Sequence, residues 1–263
     1  MRVIILEDYE SISAWTARYV ADTIQAFAPA QDRPFVLGLP TGSSPMGTYK
    51  NLISYVKEGT LSFQNVVTFN MDEYVGLSGD HPQSFRYFMQ EHFFKHIDIQ
   101  PKNTHIPNGK ATDLTAECLA YEQAIRQAGG IRLFLGGVGT DGHIAFNEPG
   151  SSLTSRTRIK TLTTDTVLAN ARFFDNNVEL VPKTAITVGV GTIMDADQVV
   201  LVISGASKAK ALQQAVEGAI SHWWTVTALQ MHPKAILVCD NDAASMLRPE
   251  TIAYFKDIEK LGR

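Results

Sequence analysis

Ile131-Arg-Leu-Phe-Leu135-Gly136-Gly-Val-Gly-Thr-Asp141-Gly-His143-Ile-Ala-Phe-Asn-Glu148-Pro149 changes character halfway along. Its first five residues are mostly apolar and read as a buried strand. Four glycines follow, where the backbone can turn sharply and approach a ligand closely. Two carboxylates and one imidazole then fall within eight residues, Asp141 to Glu148. A strand that ends in a glycine-rich turn carrying acid and base side chains predicts an α/β sheet, because ligands of such sheets bind beyond the carboxyl ends of the strands.

The same alternation runs through the chain. Apolar runs at Val3–Leu6, Phe35–Leu39, Val66–Asn70, Ala185–Val190, Val199–Ser204 and Ala235–Cys239 read as further strands. Between them, Ser11–Phe27 has Ile12, Trp15, Tyr19, Val20, Ile24 and Phe27 at helical spacing. A helix is expected from near Met46, and others over Asp113–Gln127, Ser207–Ile220 and Pro249–Leu261. Near-continuous apolar strands alternating with amphipathic helices predict an open, mostly parallel sheet with helices on both faces, a Rossmann-like, modified doubly wound fold. No repeat or linker-like composition shift divides the 263 residues, so a single domain over 1–263 is expected. Residues 151–183, rich in Thr, Ser, Asn and Arg, read as a mobile cover or a contact surface.

Composition narrows the class. Hydrophobic content of 44% and charged content of 19% are those of an ordinary globular protein. A net charge of −4 gives no electrostatic footprint for nucleic acid, so an anionic ligand needs local basic residues. Cys118 and Cys239 have no metal-ligand or CxxC spacing, which fits a reducing cytoplasm. The apolar start after Arg2 is too short for a secretory segment, and no run approaches membrane-spanning length, so no membrane partner is expected.

Three more loops follow strands. Pro40-Thr-Gly-Ser-Ser-Pro45 offers Gly42 and hydroxyls at a helix start, with Ser44 as N-cap and Pro45 as first helical residue. That is a phosphate cradle or an ordinary capped helix. Phe69-Asn-Met-Asp72-Glu73-Tyr74 carries either a general base or solvated helix-start acids. Ser204-Gly-Ala-Ser207-Lys208-Ala-Lys210 places a lysine in a first helical turn, an anion site or a solvated cation, and Lys210 reads as solvated. Arg172, beside Phe173 and Phe174, is a phosphate clamp or a packed arginine. Gly137 to Gly142 also match GxGxxG, but Pro149 disfavours the long helix a dinucleotide site requires. Asp141, His143 and Glu148 could share a metal ion. The pair His92 and His96 lacks the glutamate of HExxH and has Lys95 beside it. Two anion-type loops and two acid–base loops together describe an enzyme that moves protons on a small phosphorylated molecule.

Leu39-Pro-Thr-Gly-Ser-Ser-Pro45, Phe69-Asn-Met-Asp-Glu-Tyr-Val75 and Gly136 to Pro149 resemble the signature segments of the glucosamine-6-phosphate deaminase family. The similarity extends through Ser155-Arg-Thr-Arg-Ile-Lys160 and Ala169-Asn-Ala-Arg-Phe-Phe-Asp175, and so over nearly the whole chain. It implies reversible conversion of D-glucosamine 6-phosphate and water to D-fructose 6-phosphate and ammonia, in amino-sugar catabolism, with no metal and no pyridoxal phosphate. By motif, Asp72 is the base for the C2 proton and an ordinary, ionised aspartate. His143 opens the sugar ring, supported by Asp141 and Glu148. Thr41, Gly42, Ser43, Ser44, Arg172 and Lys208 hold the phosphate. The resemblance further implies a homo-oligomer, a hexamer, activated by N-acetylglucosamine 6-phosphate at Ser151, Arg158, Lys160, Thr161 and Tyr254, with the Met1 amine contributing across a subunit boundary. Arg158 and Lys160, two apart, would face one anion if that segment is extended. The rivals are a sugar-phosphate lactonase of similar fold and a non-catalytic sugar-phosphate sensor. The sensor would want a helix-turn-helix module, and residues 1–34 offer only one strand and one helix.

Overall fold

The computed structural model describes residues 1–261. Its strands are β1 Arg2–Leu6, β2 Phe35–Leu39, β3 Val66–Asn70, β4 Asp72–Tyr74, β5 Thr104–His105, β6 Leu133–Gly136, β7 Arg158–Thr161, β8 Thr184–Thr187, β9 Val199–Ile203 and β10 Ala235–Asp240. Its α-helices are α1 Tyr9–Phe27, α2 Met46–Lys57, α3 Phe85–His92, α4 Leu114–Gln127, α5 Thr164–Asn170, α6 Val190–Met194, α7 Ala209–Glu217 and α8 Pro249–Leu261.

Seven strands form one sheet in the order β1-β10-β9-β6-β2-β3-β5. Every pairing in it is parallel. Side chains alternate across that sheet, so each strand feeds two cores. Leu133 and Leu135 of β6 join Ile12, Val20 and Ile24 of α1 and Tyr49 and Leu52 of α2 on one face. Phe134 joins Tyr121 and Ile125 of α4, Ile193 of α6 and Leu212 of α7 on the other. The expected open α/β fold with helices on both faces is what forms.

One expected strand lies elsewhere. The run Ala185–Val190 does not enter the main sheet. Thr184–Thr187 pairs antiparallel with β4 and β7 in a second sheet of order β4-β8-β7. The chain then turns into α6, where Ser155 Oγ accepts the N–H of Val190. The apolar run is buried on both routes, so periodicity could not separate strand from helix start. Helix starts shift too. Asp8 caps α1 by accepting from the Ser11 N–H, three residues before the expected start at Ser11. Pro45, not Ser44, is the N-cap of α2, and no side chain caps it. A short 3₁₀ turn, Ala206–Lys208, precedes α7, which stops at Glu217 rather than Ile220. Residues 151–183 contain β7 and α5, the latter capped by Thr163.

The second sheet is tied to the first by one buried acid. Glu122 of α4 is 3% exposed. Its carboxylate accepts from the Thr157 N–H and hydroxyl, at 2.9 and 2.6 Å, and from the Arg156 Nη2 at 2.7 Å. Thr192 of α6 donates to it as well. Burial alone would push its pKa up, but these donors hold it below the usual glutamate value. Breaking such a cluster from one side leaves buried donors unmatched. Glu122→Ala is therefore expected to cost about 3 kcal/mol or more in urea unfolding at neutral pH. A loss under about 1 kcal/mol would show that the cluster does not anchor the second sheet.

Candidate active site

Parallel pairing puts the carboxyl ends of all seven strands on one edge. The four strands that precede the chemistry-bearing loops, β9, β6, β2 and β3, are consecutive neighbours in the sheet. The loops at 40–45, 71–74, 137–143 and 204–208 therefore emerge side by side. Gly137 shows how close they come: a Cβ there would sit 3.4 Å from Ser44 Cβ.

The 40–45 loop is held from behind by two phenols. Tyr9 Oη donates to the Ser43 carbonyl at 2.9 Å and accepts from the Gly47 N–H at 2.8 Å. Tyr49 Oη donates to the Pro40 carbonyl. Carbonyls are thereby drawn back, while the N–H groups of Gly42, Ser43 and Ser44 meet no acceptor among the described residues. Unpaired amides at a helix start favour an anion. Ser44 is half-buried, its neighbour Ser43 is exposed, and Ser44 offers its backbone rather than a side-chain cap.

Asp72 and Glu73, adjacent in sequence, point to different tasks. Glu73 is a structural cap: its carboxylate accepts from the Phe85 and Arg86 N–H groups at the start of α3, both at 2.9 Å. Asp72 is 7% exposed, and no donor among the described residues reaches its carboxylate. Burial, with Glu73 beside it, pushes its pKa up to about 8. It is thus not the ordinary aspartate the sequence suggested. A carboxylate stripped of water is a stronger base than an exposed one.

On the 137–143 loop, the Gly142 N–H donates to the Gly139 carbonyl at 3.0 Å and the Gly139 N–H to the His143 carbonyl at 2.8 Å. Gly139 has to be glycine, since a Cβ would lie 2.4 Å from the His143 ring. His143 Nδ1 sits 2.7 Å from Asp141 Oδ1, off the line of a straight N–H bond, as a close ion pair when the ring is protonated. Burial raises the Asp141 pKa, but the His143 contact outweighs it and the net shift is downward. Lys208 is half-buried, which lowers its pKa; Asp141 opposes that shift and Arg172 adds to it. Lys208, Asp141 and Arg172 therefore share one field. Arg172 is exposed, with its guanidinium 4.6 Å over the Phe173 ring.

Glu148 takes a different place from the one expected beside the imidazole. It is 1% exposed, and its carboxylate accepts from the Thr163 N–H at 3.0 Å and hydroxyl at 3.1 Å. It joins the His143 loop to the start of α5. Asp141, His143 and Glu148 form no three-ligand metal cluster among the described residues. His92 and His96 are exposed, on α3 and the turn after it.

The residues of the expected effector site fall into two groups. Arg158 and Lys160 lie on β7, half-buried and on one face, with Ile159 and Thr161 exposed between and after them. Arg158 Nη1 donates to Asn147 Oδ1 at 2.8 Å. Ser151 is buried, and its hydroxyl has no hydrogen-bond partner among the described residues. Met1 and Tyr254 lie at the other end of the sheet, where α8 packs on β1, and Tyr254 is exposed. Asn147, unmarked by the sequence reading, is central. Its Nδ2 donates to the Ile144 and Val188 carbonyls while its Oδ1 receives Arg158, linking the His143 loop to β7. The signal was one amide in the apolar run Ile144-Ala-Phe-Asn147.

An open parallel sheet with acid–base side chains and a basic turn at its carboxyl edge defines a class, the α/β enzymes that move protons on a small molecule. Within it, the chain belongs to the glucosamine-6-phosphate isomerase/6-phosphogluconolactonase family, whose sequence model matches residues 7–237. A glucosamine-6-phosphate deaminase of Parabacteroides distasonis is 63% identical over 260 residues, covering 99% of this chain and 96% of that protein. A solved structure described as a monomeric glucosamine-6-phosphate deaminase superposes with a TM-score of 0.89 at 45% identity, over 94% of this chain and all of that one. A 6-phosphogluconolactonase from Trypanosoma cruzi shares the fold at a TM-score of 0.73 but only 18% identity, over 94% of this chain and 96% of that one.

The raised Asp72 pKa has a consequence for stability. Between about pH 4, where an unfolded aspartate ionises, and about 8, the native state holds a proton that the unfolded chain has released. Stability is lost as pH rises through that window. Asp72→Asn, isosteric with the protonated acid, is expected to raise Tm by at least about 2 °C at pH 8 and by less at pH 5. Calorimetry of both proteins across this range checks it; a gain independent of pH would mean Asp72 is not desolvated.

Proposed function

We propose that this chain converts D-glucosamine 6-phosphate and water, reversibly, to D-fructose 6-phosphate and ammonia. The observation that carries the reading is the buried, unpartnered carboxylate of Asp72 on the loop edge shared with the His143–Asp141 pair. The identity to named deaminases, far above that to lactonases of the same fold, supports it over the lactonase reading. The sensor reading has no separate support.

The phosphate sits on the N–H groups of the 40–45 loop, between Lys208 and Arg172. His143, paired with Asp141, carries the proton of the anomeric hydroxyl to the ring oxygen, and the C1–O5 bond breaks as the pyranose opens. The freed C1 aldehyde acidifies the C2 proton, and Asp72 takes it. The resulting enolamine is protonated at C1, leaving an imine at C2. Water adds at C2 and ammonia leaves, giving the ketose. The substrate's own carbonyl is the electron sink, so the steps call on side-chain acids and bases alone. The ammonium of the arriving substrate favours the charged form of Asp72, which ionises the base when it is needed. Two free, buried cysteines fit a reducing cytoplasm, and no described helix is long and apolar enough to cross a membrane.

Positioned acid–base groups contribute about 10²–10⁴-fold, so Asp72→Asn is expected to lose at least about 10² in kcat. In deuterium oxide the native enzyme is expected to place deuterium at C2 of recovered substrate, and the variant none. Undiminished exchange by Asp72→Asn would remove it from the role.

The chain's regulation follows from the same reading. Ser151, Arg158, Lys160 and Thr161, with Tyr254 and a neighbouring subunit's Met1 amine, bind N-acetylglucosamine 6-phosphate in a hexamer. The register supports coupling: Thr187 pairs with Asp72 on one side and with Arg158 on the other. Two strand spacings, about 10 Å, separate effector strand and base. An activator must bind the active state better than the inactive one. Sigmoidal kinetics are expected to become hyperbolic on its addition, and Lys160→Glu is expected to lose that response. A monomer in light scattering, with hyperbolic kinetics that the acetylated sugar phosphate leaves unchanged, would contradict this part.

A further inference from the structure

Lys208 reaches the anion site from a turn whose shape is set by a residue outside all four loops. Asp240 ends β10 and is 5% exposed. Parallel register pairs Cys239 with Ile203, so the next residue, Asp240, lies level with Ser204 as β9 ends. Its carboxylate crosses the gap. Both oxygens accept from the Gly205 N–H at 3.0 Å, and Oδ2 also takes the Ser204 hydroxyl. Oδ1 accepts from the Ala243 N–H at 2.8 Å, which anchors the acid from its own side.

Gly205 is where that grip is transmitted. Its φ is +86°, a conformation L side chains rarely adopt. Its N–H is held by Asp240, and its carbonyl accepts the Lys208 N–H at 3.0 Å. One residue, through its two flanking peptide units, thus connects a fixed carboxylate to the residue that bears the cation. Lys208 has a long flexible side chain and no ion-pair partner within bonding distance among the described residues. Its aim therefore depends on where its backbone starts.

We propose that Asp240 is a positioning residue for phosphate recognition, locking the Ser204–Gly205 corner so that Lys208 points at the substrate phosphate. It rests on the phosphate assignment made above and goes beyond it, since Asp240 itself does not touch the sugar. Anionic carboxylates accept N–H and O–H donors strongly, whereas an asparagine of the same shape offers one oxygen and turns an NH₂ against a donor. Small misplacements of a binding group are costly, so the effect is large for so small a change.

The test is a double-variant cycle with Asp240→Asn and Lys208→Met, read on glucosamine 6-phosphate and on unphosphorylated glucosamine. Asp240→Asn is expected to raise KM for the phosphorylated sugar about tenfold with kcat changed far less. Its kcat/KM is expected to fall about tenfold more on the phosphorylated sugar than on glucosamine. The double variant is expected to match Lys208→Met within about twofold, because coupled residues are not additive. Equal losses on both sugars, or KM factors that multiply in the double variant, would overturn the inference and leave the phosphate assignment standing. Lys208→Met with native discrimination between the sugars would overturn the assignment and the inference together. If Asp240→Asn does not fold, Ser204→Ala removes one donor from the same corner. It is then expected to raise KM about two- to threefold on the phosphorylated sugar alone, and an unselective effect would count against the proposal.

Discussion

The pairing of β6 between β2 and β9 is the constraint on which the molecule depends. Leu37 and Gly38 pair with Leu133 and Phe134 on one side, and Phe134 to Gly136 pair with Val199 to Leu201 on the other. A one-residue slip would exchange Phe134 with Leu133 and Leu135 between the two cores. With register fixed by burial on both faces, the glycine-rich turn must leave the sheet between the 40–45 loop and the Ser204–Gly205 corner. The His143–Asp141 pair then stands beside the turns proposed to hold the phosphate.

The second sheet carries the carboxylate proposed as the base. Asp72 follows β3 by a single residue, yet belongs to a separate antiparallel set with β8 and β7. That short step removes it from water and sets Glu73 to a different duty at the start of α3. Burying an acid with no donor opposes stability, and the surrounding structure offsets it through clusters such as Glu122 with Arg156, Thr157 and Thr192. The proposed chemistry draws on the same desolvation that folding resists.

Much of this was legible in the sequence. The apolar runs marked β2 and β3 to the residue, and Pro249–Leu261 marked α8. The loops after β2, β3, β6 and β9, which the fold brings to one edge, were marked by glycine, hydroxyl and charge placement. The run Ala185–Val190 marked β8 as a strand, but its place in a separate β4-β8-β7 sheet was not legible. Asp-Glu-Tyr and Arg-Ile-Lys-Thr are too short and polar to read as strands alone. The desolvation of Asp72 is a tertiary property, invisible in a segment that reads equally well as a solvated helix start. Glu148 was expected beside His143 on the family resemblance of the Gly136 to Pro149 segment. Its carboxylate is instead held by Thr163, a partner fifteen residues on that no local pattern marks. Asp240 escaped notice because its partners, Ser204 and Gly205, are adjacent only through the parallel register.

The central claim is that this edge performs proton transfer at C2 of an amino-sugar phosphate and then expels the amine. The direct measurement is product analysis of the purified protein with D-glucosamine 6-phosphate, assaying ammonia and fructose 6-phosphate in the same sample. Both are expected to appear in equal amounts. Turnover of a sugar-phosphate lactone with no ammonia from the amino sugar would contradict it.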